Sequence, residues 1–173
     1  CGAVEGVVGW RGRVWGGETV TRGRADLMAG RVAGMRVLLA KPKWVMNPSG
    51  GPVASLGGFF KLSVAQVVGV HDELDIAFGT VRLKLGGGDN GHNGLRSISS
   101  ALGSKEYLRV RVGIGRPPGR QDPADFVLKD FGLAERKELA FLVDRGADAV
   151  EALLAGPLAS APTAFHPLAP LTC

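Results

Sequence analysis

Apolar and polar residues alternate strictly in two stretches of the chain. In VRLKL, Val81, Leu83 and Leu85 alternate with Arg82 and Lys84; in LRVRVGIG, Leu108, Val110, Val112 and Ile114 alternate with Arg109 and Arg111. Successive side chains of a strand point to opposite faces, so each stretch predicts a strand with one apolar and one cationic face. Side by side with apolar faces inward, the two would gather four cations on one face. Apolar runs mark two further strands. Arg36 to Ala40, RVLLA, suits an interior strand closed by Lys41-Pro42, and Val64 to Val70, VAQVVGV, delivers HDELD at its C-terminal end. Residues 24–35 read as a ribbon turning at Val32 to Gly34.

Helical spacing recurs elsewhere. Val53, Leu56, Phe59 and Phe60 follow Pro52, a good first-turn residue, and predict a short helix although Gly57 and Gly58 each cost about 1 kcal/mol in a helix interior. Asn93 to Leu102 predicts a short helix after a glycine-rich loop, and Asp125 to Lys129 a single turn. The longest helix is predicted over Ala134 to Leu154, with an apolar stripe of Leu139, Leu142, Val143, Val150, Leu153 and Leu154 interrupted by Gly146. The glycine-rich start offers one short strand, Val4 to Gly9, and otherwise reads as loop; the tail APTAFHPLAPLTC is too rich in proline for regular structure. Strands mixed with helices predict an α/β fold: a single domain with a twisted mixed, mostly parallel sheet flanked by helices.

Composition changes this picture little. The 173 residues fit one domain, 45% are apolar, and 27 Gly with 10 Pro predict a loop-rich molecule. A formal charge of +5 favours an acidic partner only if the cations cluster, which the two alternating strands make them do. The only cysteines, Cys1 and Cys173, have no zinc-site spacing, and no apolar run reaches membrane-spanning length, so a cytoplasmic protein without a membrane partner is expected.

Three segments carry candidate chemistry. HDELD, residues 71–75, could hold a hard cation, cap turns through Asp72 and Asp75, or use Asp72 to orient an imidazole and stabilise its protonated form. KPKWVMNPSG places Trp44, Met46 and Asn47 beyond a strand, either as core and turn or as an apolar shelf with an amide able to donate to a carbonyl. GGGDNGHNGLRS, residues 86–97, lacks the lysine of a Walker loop and the GxGxxG of a dinucleotide loop. It sets His92 and Asn93 at a helix start, where spare N–H groups favour an anion, and Arg82, Lys84, Arg109 and Arg111 supply a positive field. A phosphorylated partner, nucleic acid above all, is favoured.

Together RVLLAKPKWVMNPSG, VVGVHDELDIAFGTVRLKLGGGDNGHNGLRSISSALG and YLRVRVGIGRPPGRQDPADFVLKDF, running from about Gly23 to Leu154, resemble the bacterial peptidyl-tRNA hydrolase family. The resemblance implies hydrolysis of the ester between peptide and tRNA, recycling tRNA during translation without a cofactor, by a cytoplasmic monomer with no obligate protein partner. It implies a catalytic group of Asp72, His92 and Asn93, with Asp72 steering a histidine. Val45, Met46, Asn47 and Asn93 would contact the peptide or terminal nucleotide, and Lys84 and Arg111 the backbone phosphates. Val45 stands where the family usually has an aromatic residue. The implied organisation is a divergent segment over residues 1–22, the hydrolase-like domain over 23–155 and an irregular Pro-rich tail over 156–173. The family presents its base histidine in a TRHN-like motif, whereas here Thr21-Arg22 precedes Gly23 and no histidine precedes His71. The alternative is therefore a non-hydrolytic RNA-binding member of the same family.

Overall fold

The computed structural model describes residues 19–22, 25–42, 49–117, 119–156 and 164–165. Contacts group the chain into two units: residues 11–69 with 84–109, and residues 1–10 with 70–83 and 110–173. The strand expected at Val4 to Gly9 lies outside the described residues.

In the first unit, β1 (Thr19–Arg22), β2 (Ala25–Val32) and β3 (Met35–Pro42) form an antiparallel meander, with Thr19 opposite Met28 and Val32 opposite Met35. The ribbon and its turn appear as expected. Ala33 and Gly34 both take positive φ, +48° and +77°, the pair of values that a two-residue hairpin turn matches to strand twist. Two expectations change. Thr19 to Arg22 form a strand and not a loop, and RVLLA is not interior: β2 occupies the middle, burying Ala25, Leu27, Met28 and Val32, while Val37 to Leu39 are half-buried. Among the described residues, two strands flank β2 and one flanks β3.

Helix α1 (Gly50–Phe59) forms where predicted and packs on α2 (Asn93–Leu102), whose boundaries also match. The approach is close enough to require glycine. Gly50 N–H donates to Ser97 Oγ at 3.0 Å, and a Cβ on Gly50 would stand 2.1 Å from Ser97 O. A 3₁₀ turn over Val64–Gln66, with Ser63 N–H donating to Gln66 Oε1, replaces the start of the strand predicted there. Strand β4 (Val68–Glu73) begins later and therefore holds His71, Asp72 and Glu73 in strand, not in a loop beyond it.

Strands β5 (Val81–Leu85) and β6 (Leu108–Gly113) form where the alternation predicts them, although Leu85, expected on the inward face, is exposed; the sheet runs β4-β6-β5-β7, ending in β7 (Ala164–Phe165) within the tail expected to be irregular. Leu108 N–H donates to Val67 O and Ile114 N–H to Glu73 O, so β6 runs parallel to β4. Gly86 N–H bonds to Tyr107 O and Gly113 N–H to Thr80 O, so β5 is antiparallel to β6, as β7 is to β5. The α/β fold and mixed sheet agree with expectation; among the described residues, though, antiparallel pairings outnumber parallel ones.

In the second unit, α3 (Pro123–Val127) is capped by Asp122, whose Oδ1 accepts Ala124 N–H. Helix α4 (Leu133–Ala155) buries Leu142, Ala147, Ala149, Val150 and Leu153, and Gly146, which breaks the apolar stripe in sequence, is buried with them. Arg145 ties α4 to the Gly79 carbonyl. Among the described residues no helix is long and apolar enough to cross a membrane.

Candidate active site

The glycine loop leaves β5 and enters α2. Gly86, Gly87, Asn90 and Gly91 all take positive φ, between +48° and +93°, which explains why the loop is built from glycines and an asparagine. Positive φ alone is the reason here, because the nearest atoms to a Cβ on Gly87 or Gly86 are the movable ends of the Lys84 and Glu106 side chains. Lys84 thus lies along the loop. Asp89 organises its far end, accepting Gly91 N–H at Oδ1 (3.1 Å) and Arg96 Nε–H at Oδ2 (3.3 Å), while its carbonyl accepts His92 N–H (2.8 Å). The Arg96 hydrogen bond, followed by the Gly91 N–H, holds the Asp89 carboxyl below its ordinary value.

His92 is the N-cap of α2, its Nδ1 accepting Leu95 N–H at 3.2 Å. An accepting nitrogen carries no proton, so the neutral ring bears its hydrogen on Nε2 and offers a donor. Asn93 opens the helix and is exposed; with Arg96, Ser97, Ser100 and Ala101 it lines a groove of about 530 Å³. A carboxamide, an imidazole N–H and a helix N-terminus are all suited to an oxygen that gains negative charge.

Beneath the loop lies Arg109, 2% exposed. Its Nη1 donates to Gly88 O (2.7 Å), its Nη2 to Gly87 O (3.0 Å) and Lys105 O (3.4 Å), and its guanidinium carbon lies 4.6 Å from the Tyr107 ring centre. Burying an ion costs several kcal/mol. Charged hydrogen bonds return about 1.5–3 kcal/mol each and a desolvated cation–π contact about 2, so loop carbonyls and ring can offset the burial. Tyr107 also reaches α2, its hydroxyl donating to Leu95 O at 3.4 Å and bonding to Ser99 Oγ at 3.1 Å.

In the other unit, His71 is buried and its Nδ1–H donates to Asp72 O at 2.7 Å. Arg111 donates through Nε (3.1 Å) and Nη2 (3.0 Å) to one oxygen of the buried Glu73, whose other oxygen accepts Asp75 N–H at 3.4 Å. Asp75 in turn pairs with Arg116.

Relatives of known sequence agree with one another. The chain is 62% identical over 147 residues to a peptidyl-tRNA hydrolase of Frankia casuarinae, covering 85% of this chain and 75% of the relative. It is 59% identical over 158 residues to one of Pseudarthrobacter chlorophenolicus, covering 90% and 81%. The family profile described as peptidyl-tRNA hydrolase matches residues 13–170. This chain belongs to the peptidyl-tRNA hydrolase family. Its fold superposes on the crystal structure of the Acinetobacter baumannii peptidyl-tRNA hydrolase with a TM-score of 0.77 at 30% identity, over 87% of this chain and 76% of that one. The family match extends beyond the segment from Gly23 to Leu154 in which the resemblance was legible.

Of the residues expected in a hydrolase site, Val45, Met46 and Asn47 lie outside the described residues. His92 and Asn93 are adjacent at the start of α2, and Lys84 lies along the same loop. Asp72 and Arg111 sit on neighbouring strands of the other unit, Asp72 half-buried in β4 and Arg111 on β6 with its charge compensated by Glu73. The four-cation face needs correction. Arg82 is exposed, but Arg109 is wholly buried against the loop and Arg111 is largely buried in an ion pair. Sequence reasoning set Arg109 on an open cationic face and not under the loop, and gave Glu73 and Asp89 no role of their own. The available signal was the loop itself, since five glycines in GGGDNGHNGLRS present carbonyls that need donors.

Proposed function

We propose that this chain hydrolyses the ester joining a peptide to the 3′ ribose of tRNA. Support comes from family membership, with well over half of the aligned residues identical to the named hydrolases of Frankia casuarinae and Pseudarthrobacter chlorophenolicus. Water attacks the ester carbonyl, charge develops on its oxygen, the acyl carbon–ribose oxygen bond breaks, and the proton lost by water ends on the 3′ oxygen. The Asn93 carboxamide and His92 Nε2–H supply donors toward the developing oxyanion beside the N-terminus of α2. Asp72 steers a histidine, Val45, Met46 and Asn47 line the place of the peptide or terminal nucleotide, and Lys84 and Arg111 hold backbone phosphates. The protein acts as a cytoplasmic monomer on tRNA, without a cofactor.

The hydrogen bonds also constrain the base. His92 has its acceptor nitrogen committed to Leu95 N–H, and His71 has the opposite tautomer but is buried. The test is release of N-blocked amino acid from N-blocked aminoacyl-tRNA by the purified 173-residue chain. We expect release above the uncatalysed rate, and a roughly 10²-fold lower kcat for Asn93→Ala, the usual cost of losing one oxyanion donor. Bound tRNA with no release above background would reject the hydrolase reading for this chain.

A further inference from the structure

We infer that Arg109 is a positioning residue: its guanidinium, by holding the Gly87 and Gly88 carbonyls, sets the path of the glycine loop and so the placement of His92 and Asn93. The inference rests on the hydrolase reading for its kinetic consequence and on geometry alone for its structural one.

Arg109 is the largest fully buried side chain described, and no ion pair among the described residues includes it. A lone buried cation is expensive unless its donors are used. Three of its hydrogen bonds go to main-chain carbonyls, two of them on consecutive residues of one loop, while Nε finds no acceptor among the described residues. The planar fork can hold two adjacent carbonyls at once, which the single ammonium of lysine cannot reproduce. The loop needs such a hold. Gly86, Gly87, Asn90 and Gly91 have positive φ, and glycine carries the largest entropy cost on ordering.

From Gly88 the chain reaches Asn93 in five residues, through the Asp89 turn that fixes His92 N–H and the cap that fixes Leu95 N–H. On the other side, Arg109 stacks on Tyr107, whose hydroxyl bonds to Leu95 O and Ser99 Oγ in α2. Loop and helix are therefore registered against the same two residues at the start of β6. A shift of the loop would displace the His92 and Asn93 donors without removing them.

The experiment compares Arg109→Met, which keeps bulk but not donors, Arg109→Lys, which keeps charge but not the fork, and Leu142→Ala, a core truncation in α4 that lowers stability elsewhere. Amide hydrogen exchange is read across residues 86–95, and kcat and KM are measured on N-blocked aminoacyl-tRNA per folded molecule. We expect exchange at least about tenfold faster in that segment for both Arg109 variants, and kcat lower by roughly 10- to 100-fold for Met and less for Lys, with KM within about twofold. These magnitudes follow the cost of misplacing a reacting group by about 1 Å. Leu142→Ala should keep native exchange in the loop and native kcat. If Arg109→Met does not fold, Arg109→Lys carries the same readouts. Unchanged loop exchange, or a fall in stability with full kcat as in Leu142→Ala, overturns the inference. Faster loop exchange in a chain whose wild type does not hydrolyse the ester sustains the structural role and rejects the hydrolase reading instead.

Discussion

His92 shows how a hydrogen bond decides chemistry. A nitrogen that accepts the Leu95 N–H cannot also take a proton from water, so the residue acts as cap and donor. His92→Ala should cost about 1 kcal/mol by losing the cap, measured by urea unfolding. His92→Asn, which supplies a carboxamide oxygen, should recover most of that stability. Asp89 gives a pH dependence. Its folded carboxyl is held below the ordinary 3.8, so its contribution is complete above 3.8 and is lost as pH falls through the lowered folded value. Asp89→Asn should flatten that acid limb of the stability curve, and an unchanged limb would show that the Arg96 contact does not hold in solution. The sequence placed His92 and Asn93 correctly at a helix start because a polar pair after glycines is a local signal. It misplaced Arg109, because alternation says that a side chain leaves the apolar face but not whether the other face meets water or a loop.

At the scale of elements, close approach separates one glycine from another. Gly50→Ala would drive a methyl into the Ser97 carbonyl at the contact of α1 with α2, and should destabilise by about 1–3 kcal/mol or more, since overpacking forces the backbone to move. Gly34→Ala meets nothing within 4 Å and should cost only the strain of its positive φ, about 1 kcal/mol. Thermal unfolding of the two variants checks the order. The helices, β5, β6 and the ribbon were legible because periodicity and turn residues are local. The edge position of β3 was not, since an apolar run reads the same whether one or two strands flank it. The start of β4 shifted for a comparable reason: Ser63 and Gln66 close a 3₁₀ turn through side-chain bonds that hydropathy does not register. Strand β7 depends on pairing with Val81 and Arg82, a distant segment, so a proline-rich tail concealed it.

For the molecule as a whole, the mixed α/β fold follows from the order of its elements, and membership of the hydrolase family follows from motifs that keep their order over most of the chain. The direction of strand pairing did not follow, because parallel and antiparallel ladders bury similar apolar runs. A net charge of +5 suits a substrate carrying phosphates, although burial removes Arg109 from the surface count and Glu73 compensates Arg111. Hydrolysis by water at the acyl carbon accounts for both products, a free carboxylate and a 3′ hydroxyl. Its most direct test is incubation of the 173-residue chain with N-blocked aminoacyl-tRNA in ¹⁸O-enriched water, with mass analysis of both products. Attack at the acyl carbon places one heavy oxygen in the released carboxylate and none in the 3′ ribose of the tRNA; heavy oxygen in the ribose, or tRNA bound with no product formed, would rule that reaction out.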